Sequence, residues 1–405
     1  MLTLFRMAWR NIGRNPRRTG ILLTTVAVGM LGTVLSMAIM WGMMAGMVDT
    51  AIQTDLGHIQ IHAEGYEADP AISLLLSDGG SSVARTLDRL PSVVAHAPRL
   101  RSEALVSSPT TSVGLRLLGV DAQREPSVSS VKNWIIEGRF LSGEAREAVV
   151  GRRLAERLDI EIGDKIVISA QDTQGDMTAE SARIRGIFES SSADFDKGSV
   201  FINLKQGAKL LGTGSGITEI VVMTTDRDQV DLVQEELVSS LPQLEVRSWT
   251  ELQPFVAFMI ESSGAAAASL YLVIFVAMAF GIANVMMMSI FDRIREIGVM
   301  LALGMSRARL LALIILEGIL VTTLGTAIGL GLAAAIVLIL SGGIDFSIFA
   351  DGLNEMGAGA LIIPQLNTSD FIQPIVISIF TALIASIWPA LRAIRLQPAE
   401  ATRQN

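Results

Sequence analysis

His58 and His62 stand four residues apart in a stretch that alternates like a β-strand, so both are expected on one face. Two imidazoles can begin a metal site, but zinc takes three or four protein ligands. The chain holds one further histidine, His96, remote in sequence, and no cysteine. A solvated strand pair with no metal is the expected reading. Other searches for chemistry come up empty. There is no H-E-x-x-H, no C-x-x-C, and no nucleophile elbow around Ser190, Ser191 and Ser192. A phosphate loop of the form G-x-x-x-x-G-K followed by Ser or Thr is absent, so ATP binding in that manner is not expected of this chain. No catalytic residue is assigned, and the chain reads as non-catalytic.

The most specific local pattern is the segment 289–310, SIFDRIREIGVMLALGMSRARL. It is too short to cross a bilayer and too charged to sit in lipid. The pairs Asp292-Arg293 and Arg295-Glu296 flank an expected turn. Ile297 to Leu303 reads as a short helix with one apolar face, ended by Gly304. Such a helix can lie at a membrane face and dock in a partner's groove, or it can be a solvated loop; its pattern leaves both open. Two polar residues lie in apolar surroundings. For Asn284 an interhelical hydrogen bond is expected. Glu317 calls for a basic partner, with Arg293 and Arg14 as candidates, in structural coupling rather than proton transport. Met30, Met37, Met40, Met44 and Met47 fall on one helix face. They could serve as soft packing or as a plastic wall for acyl chains. The second reading makes Met40, Met44 and Met47, with Phe255, Phe258 and Met259, candidate substrate-facing residues near the outer membrane surface.

These residues are carried by four stretches without a charged side chain: 19–48, 262–291, 318–344 and 371–391. Each exceeds the ~20 residues that a transmembrane helix needs. Spans are expected at 20–48, 262–291, 310–344 and 371–391. Basic residues cluster at Arg6, Arg10, Arg14, Arg17 and Arg18, at Arg293, Arg295, Arg307 and Arg309, and at Arg392, Arg395 and Arg403. The loop 345–370 has none and carries Asp345, Asp351, Glu355 and Asp370. The positive-inside rule then places both termini and the loop 292–309 in the cytoplasm, and residues 49–261 and 345–370 outside. The net charge of −8 belongs to the external part, and no nucleic-acid partner is expected. The first apolar stretch is about twice a signal-peptide core, so it reads as a retained anchor. The uncharged runs also exceed what a bilayer requires, and a rigid stalk under the external domain is expected. Gly42–Gly46 and Gly325–Gly329 have the G-x-x-x-G spacing of close helix crossings.

Between the first two spans, residues 49–261 read as an α+β domain with mostly antiparallel strands. Alternation marks strands at 58–62, 111–118, 165–169, 182–188, 199–203 and 219–223. Helical patterns lie at 81–90, 151–158 and 226–240, the last stopped by Pro242.

Segment 289–310 resembles the coupling helix of FtsX-like, MacB-type permeases of ABC transporters. The match is carried by Ser289, Arg293, Glu296, Ile297, Gly298, Ala302 and Gly304. The one-plus-three arrangement of spans also resembles that family. Further matches follow in order along the chain. Arg10-Asn11 and Arg17-Arg18-Thr19 resemble its N-terminal elbow. Glu137-Gly138-Arg139, Glu147 to Gly151, Leu154-Ala155 and Ile162-Gly163-Asp164 resemble its external core domain. Pro389-Ala390, Arg392-Ala393 and Gln397-Pro398-Ala399-Glu400-Ala401 resemble its C-terminal end. Within the family, 184–211 and the final Gln-Pro-Ala-Glu-Ala are most similar to lipoprotein-releasing permeases of the LolC and LolE type.

The resemblance implies a multi-pass protein of the bacterial inner membrane. It would comprise an elbow (1–19), the four spans, a MacB-like periplasmic core domain (49–261), a coupling helix (292–309), a periplasmic loop (345–370) and a cytoplasmic tail (392–405). It implies an ABC ATPase partner that binds ATP and Mg, no cofactor in this chain, and a second permease chain, identical or different. Asp292, Arg293, Arg295, Glu296, Ile297, Gly298, Ala302 and Gly304 would couple the ATPase to the spans. The implied function is extraction of a lipoprotein or lipid-like substrate by mechanical transmission. An efflux permease working with a periplasmic adaptor, and a signal transmitter that activates a cell-wall hydrolase, stay open. One departure is visible. Lipoprotein-releasing permeases that recruit a soluble carrier use an extended hook, whereas 170–182 is short and polar, without a proline–aromatic tip. Weak or absent carrier recruitment through this loop is expected.

Overall fold

The computed structural model describes residues 2–14 and 16–394. Arg395, Arg403 and the matched Gln397, Pro398, Ala399, Glu400 and Ala401 lie outside the described residues. The chain divides into two compact units. One comprises Met1–Met43, Glu261–Ile344 and Ile362–Asn405; the other comprises Met44–Ile260 and Asp345–Leu361.

The first unit is built on four helices long and apolar enough to cross a membrane: Pro16–Leu56, Pro254–Asp292, Arg307–Gly342 and Ser369–Ala393. They are called spans 1 to 4 below. The span 2 helix has 39 residues, roughly 58 Å at 1.5 Å per residue, against a ~30 Å hydrocarbon core. Small residues set how closely the spans pack. A Cβ on Gly329 would lie 2.6 Å from the Ala27 carbonyl oxygen, and one on Gly325 would lie 2.8 Å from Val26 Cβ. The G-x-x-x-G pair of span 3 is therefore a true crossing onto span 1. Gly318 plays the same part toward span 4, where a Cβ would meet Ser386 Oγ at 2.3 Å. The pair in span 1 behaves differently. Gly42 admits the non-helical segment before span 4, with a Cβ only 2.2 Å from the Ile363 carbonyl oxygen, while a Cβ on Gly46 would meet nothing within 4 Å. There the Gln365 amide donates to the Ala38 carbonyl at 3.0 Å.

The second unit holds a ten-stranded sheet. Its strands are β1 (Ile59–Ala63), β2 (Val93–Ser107), β3 (Ser112–Val120), β4 (Ile135–Gly138), β5 (Glu147–Gly151), β6 (Lys165–Gln171), β7 (Met177–Phe188), β8 (Ser199–Asn203), β9 (Glu219–Thr224) and β10 (Leu244–Ser248). Most pairings are antiparallel; β3 with β8 and β5 with β7 are parallel. The strands β2, β3, β8, β5, β7 and β6 pair in a closed ring, which removes edges that would otherwise seek partners. Alternate side chains such as Val106, Leu115, Leu117, Val150, Ile166, Ile168, Ile184, Val200 and Ile202 form one buried cluster. The 15-residue β2 joins this ring to a second layer. Its first half pairs with β9 and its second half with β6. The same unit includes the acidic segment between spans 3 and 4, whose Asp351 accepts from Arg153 Nη2 at 2.8 Å.

Candidate functional site

Span 2 ends at Asp292, and a linker helix, Ile294–Ala302, begins after Arg293, whose backbone leaves the helical region at φ −114° and ψ 18°. Gly304 stops the linker helix. It takes φ +94°, its amide donates to the Leu301 carbonyl at 3.1 Å, and the Met305 amide donates to the Met300 carbonyl at 3.0 Å. This is the paired closure that a left-handed residue allows and that L side chains adopt at a cost. Ser306 then caps span 3 by accepting from the Arg309 amide.

The structure sorts the eight candidate coupling residues into three groups. Ile297 and Gly298 are buried. Arg293 and Glu296 form an ionic latch: Arg293 Nε donates to Glu296 Oε2 at 3.1 Å, and Arg293 Nη1 donates to Glu317 Oε1 at 3.3 Å. Asp292, Arg295, Ala302 and Gly304 are exposed. Two exposed apolar residues that pattern reasoning passed over share this outer surface. Val299 is 51 % exposed and Leu303 is 83 % exposed. Their signal was available, since Val299 is apolar in a helix whose inner side is filled by Ile297 and Gly298, and Leu303 is the apolar residue at its C-terminal cap.

Glu317 is the centre of the latch, and the expected partner set needs correction. Its carboxylate pairs with Arg293 and with Arg18 Nη2 at 3.5 Å, whereas Arg14 binds Glu296 instead. That contact, then Arg293, holds the Glu296 carboxyl below the usual carboxylate range. The N-terminal helix Leu2–Arg14, the linker helix and span 3 are thereby joined by charge. Asn284 also departs from expectation. It is exposed rather than buried between this chain's own spans.

The candidate substrate-facing residues do not share one environment. Met44 and Met47 are buried, as are Met30 and Met37, while Met40 is half-buried. Met30 and Met37 belong to a core cluster with Met278, Ile282 and Leu330, which is the soft-packing role. Phe255 and Phe258 are exposed, and Met259 is half-buried.

The histidines are separate structural groups. His58 Nδ1 accepts from the Thr224 amide at 3.0 Å. His62 is buried rather than solvated, and stacks on Tyr66 with centroids 4.7 Å apart. Among the described residues no group of His, Cys, Asp or Glu is placed to hold a metal ion.

A buried ion network was missed. Asp55, in the π-helical turn Ile52–Leu56 that closes span 1, accepts from Arg116 Nη1 at 2.8 Å and pairs with Arg101. Arg99, fully buried on β2, makes two bonds to Glu125, at 2.6 and 3.0 Å, and donates to the Asp55 carbonyl at 2.5 Å. Glu219 on β9 lies 3.2 Å from Arg101 Nε. Three guanidiniums and three carboxylates thus cancel in the interior and clamp the start of the domain to β2, β3 and β9. Buried charge is tolerable only when it is paired in this way. The alternating charges of β2 hid this strand from pattern reasoning. The motif residues of the domain have structural roles. Arg139 pairs with Glu147, and Gly138 (φ +75°) and Gly151 admit backbone where a Cβ would come within 2.2 Å of a carbonyl oxygen.

Residues 19–240 match the family described as MacB-like periplasmic core domain, and residues 268–398 match the FtsX-like permease C-terminal family. The chain belongs to the MacB-type, FtsX-like ABC transporter permease family. Among relatives of this permease is the lipoprotein-releasing system transmembrane protein LolC of Xylella fastidiosa, 23 % identical over 93 % of this chain and 92 % of that protein. LolE of Haemophilus influenzae is 22 % identical over 99 % of both chains. The macrolide export ATP-binding/permease protein MacB of an Azoarcus species is 24 % identical over 82 % of this chain and 52 % of that protein. A crystal structure of the periplasmic region of MacB from Actinobacillus actinomycetemcomitans overlays 51 % of this chain and 94 % of that one, with 15 % identity and a TM-score of 0.37. The α+β periplasmic domain of this permease sits between its first and second spans.

Proposed function

We propose that this permease works with a separate ATPase chain, which binds ATP and Mg, to extract a lipoprotein from the outer leaflet of the bacterial inner membrane. The observation that carries the reading is the linker helix between spans 2 and 3. It is latched from within by Glu317 and Arg293, and it presents Val299 and Leu303 outward. Apolar residues held on a rigid short helix are the ordinary anchors of a groove-docked contact. Relatives named for lipoprotein release align over nearly the whole chain, which supports that substrate. Both termini and the linker helix would lie in the cytoplasm, and a second permease chain would complete the transporter. Replacing Leu303 with Asp tests the reading. The ATPase should no longer co-purify with the permease, and ATP-dependent release of lipoprotein from proteoliposomes should fall by about tenfold or more. Normal release by a stably folded Leu303→Asp protein would overturn it.

One observation favours export of a smaller amphiphile as a second reading. The segment where a carrier-gripping hook would lie is a tight β6–β7 hairpin, paired as far as Gln171 with Met177. Its tip is tied down, with the Thr173 amide donating to the Leu211 carbonyl at 3.0 Å and Thr178 Oγ1 to the Leu210 carbonyl at 2.6 Å. Met177, 70 % exposed, is the exposed large apolar side chain at that tip, within 171–177.

A further inference from the structure

A cavity of about 400 Å³ opens among spans 1, 2 and 4, at the ends of those spans that adjoin the external domain in sequence. Its volume falls within the range of ordinary ligand pockets. Most of the lining is apolar or small, including Gly264 and Ala267. Ser369 and Gln373 also line it, and Asp370, Tyr271 and Trp41 bring their polar groups together there. Asp370, in the first turn of span 4, is 3 % exposed. Its Oδ1 accepts from the Trp41 indole Nε1 at 3.3 Å, and its Oδ2 accepts from the Asn367 amide at 2.8 Å. An ionised carboxylate has about four acceptor positions, so these two bonds leave acceptor capacity on both oxygens. Tyr271, on span 2, is 4 % exposed, yet its hydroxyl has no hydrogen-bond partner among the described residues. A buried hydroxyl without a partner carries an uncompensated desolvation cost, so it calls for a ligand group. No basic side chain lines the cavity.

A carboxylate with spare acceptor positions beside two aromatic rings matches the chemistry of an ammonium group. The rings attract a cation through their quadrupoles and the carboxylate supplies the opposite charge. We infer that this cavity binds an amphiphile with an ammonium head, the head between Asp370, Trp41 and Tyr271 and the tail along the apolar walls. The plain structural role of Asp370, an acid at a helix start, accounts for its bond to Asn367 but leaves the Tyr271 hydroxyl unexplained. The inference rests on the reading of the chain as a permease for lipid-like substrates, but it concerns binding alone.

The test is native mass spectrometry of lipids retained by the full chain after release from nanodiscs of equal phosphatidylethanolamine and phosphatidylglycerol, followed by competition with dodecylamine. The wild-type chain should retain phosphatidylethanolamine in preference, and dodecylamine should displace it. Binding of dodecylamine without phosphatidylethanolamine would support the same site with a soluble amphiphile as its source. Asp370→Asn should weaken binding by about tenfold or more, the size of a lost charge-assisted bond. Gly264→Leu is the control for folding, because a Cβ there meets nothing within 4 Å. It should fill the cavity, abolish retention and leave the melting temperature unchanged. Equal retention of phosphatidylglycerol, or wild-type retention by both variants, would overturn the inference. Lipoprotein release is read separately. If release persists while no ammonium amphiphile binds, the cavity assignment falls and the transport reading stands; the reverse result removes the transport reading alone.

Discussion

Replacing Glu317 with Gln should unlatch the linker helix. The side chains of Glu317, Arg293 and Arg18 are only 12 %, 11 % and 13 % exposed, and the carboxylate lies 3.3 Å from one guanidinium and 3.5 Å from the other. Each attraction is worth roughly 4 kcal/mol at an effective dielectric near 20, before the cost of desolvation. Removing one member of a buried pair typically costs about 3–5 kcal/mol, because the remaining charge stays buried without its partner. The lower end applies here, since all three groups keep some contact with solvent. A loss of about 3 kcal/mol shifts the latched population by roughly a hundredfold. Hydrogen exchange of the full chain in detergent should then quicken across 294–302, and thermal unfolding should move to lower temperature. A double-mutant cycle with Arg293→Gln isolates the contact. The two changes should couple by about 1–3 kcal/mol, whereas independent sites add within about 0.5 kcal/mol. In proteoliposomes holding the ATPase, lipoprotein released per ATP should fall while hydrolysis continues. Additive single changes together with unaltered exchange at 294–302 would refute the latch.

Gly329→Leu should separate spans 1 and 3 and lower the melting temperature, with a cost of about 1–3 kcal/mol from overpacking against Ala27 and Met30. Gly46→Leu, where a Cβ meets open space, should leave the melting temperature unchanged in the same assay. Asp196 sets an opposite kind of test, one of pH. Burial pushes its carboxyl up to about 7, against hydrogen bonds from Ser190. A folded value above the unfolded one means that the stabilising contribution is full below about pH 4 and is lost as pH rises through about 7. Melting should therefore drop between about pH 4 and pH 7, by no more than about 4 kcal/mol in stability, and Asp196→Asn should flatten the profile. Met177→Asp, at the tip of the β6–β7 hairpin, should leave substrate release unchanged. Lost release or lost binding of a periplasmic carrier, with the domain still folded, would restore a hook-like role for this hairpin.

Hydropathy carried the membrane unit, because a bilayer tests only the length and polarity of a segment, and four uncharged runs pass on both counts. Strict alternation carried the strands β3, β6, β8 and β9. It failed for β2, where Pro98, Arg99, Arg101 and Glu103 break the apolar pattern. The two arginines become tolerable there only when Asp55, Glu125 and Glu219 arrive from distant parts of the chain to neutralise them. The linker helix was legible from its glycine stop and its charges, but not which of its sides faces inward. That depends on Glu317, whose partner is chosen by the packing of spans 1 and 3 rather than by sequence spacing. The methionine face was legible as a face, and only the neighbouring spans determine that Met30 and Met37 fill the core. The cavity beside Trp41, Tyr271 and Asp370 left no local signal, since these three residues come from three separate spans. Periodicity and charge are properties of neighbours along the chain, so the sequence determines which segments form and which must cross or cover. Partnership between distant polar groups depends on geometry, so it is decided only when the helices and strands have packed.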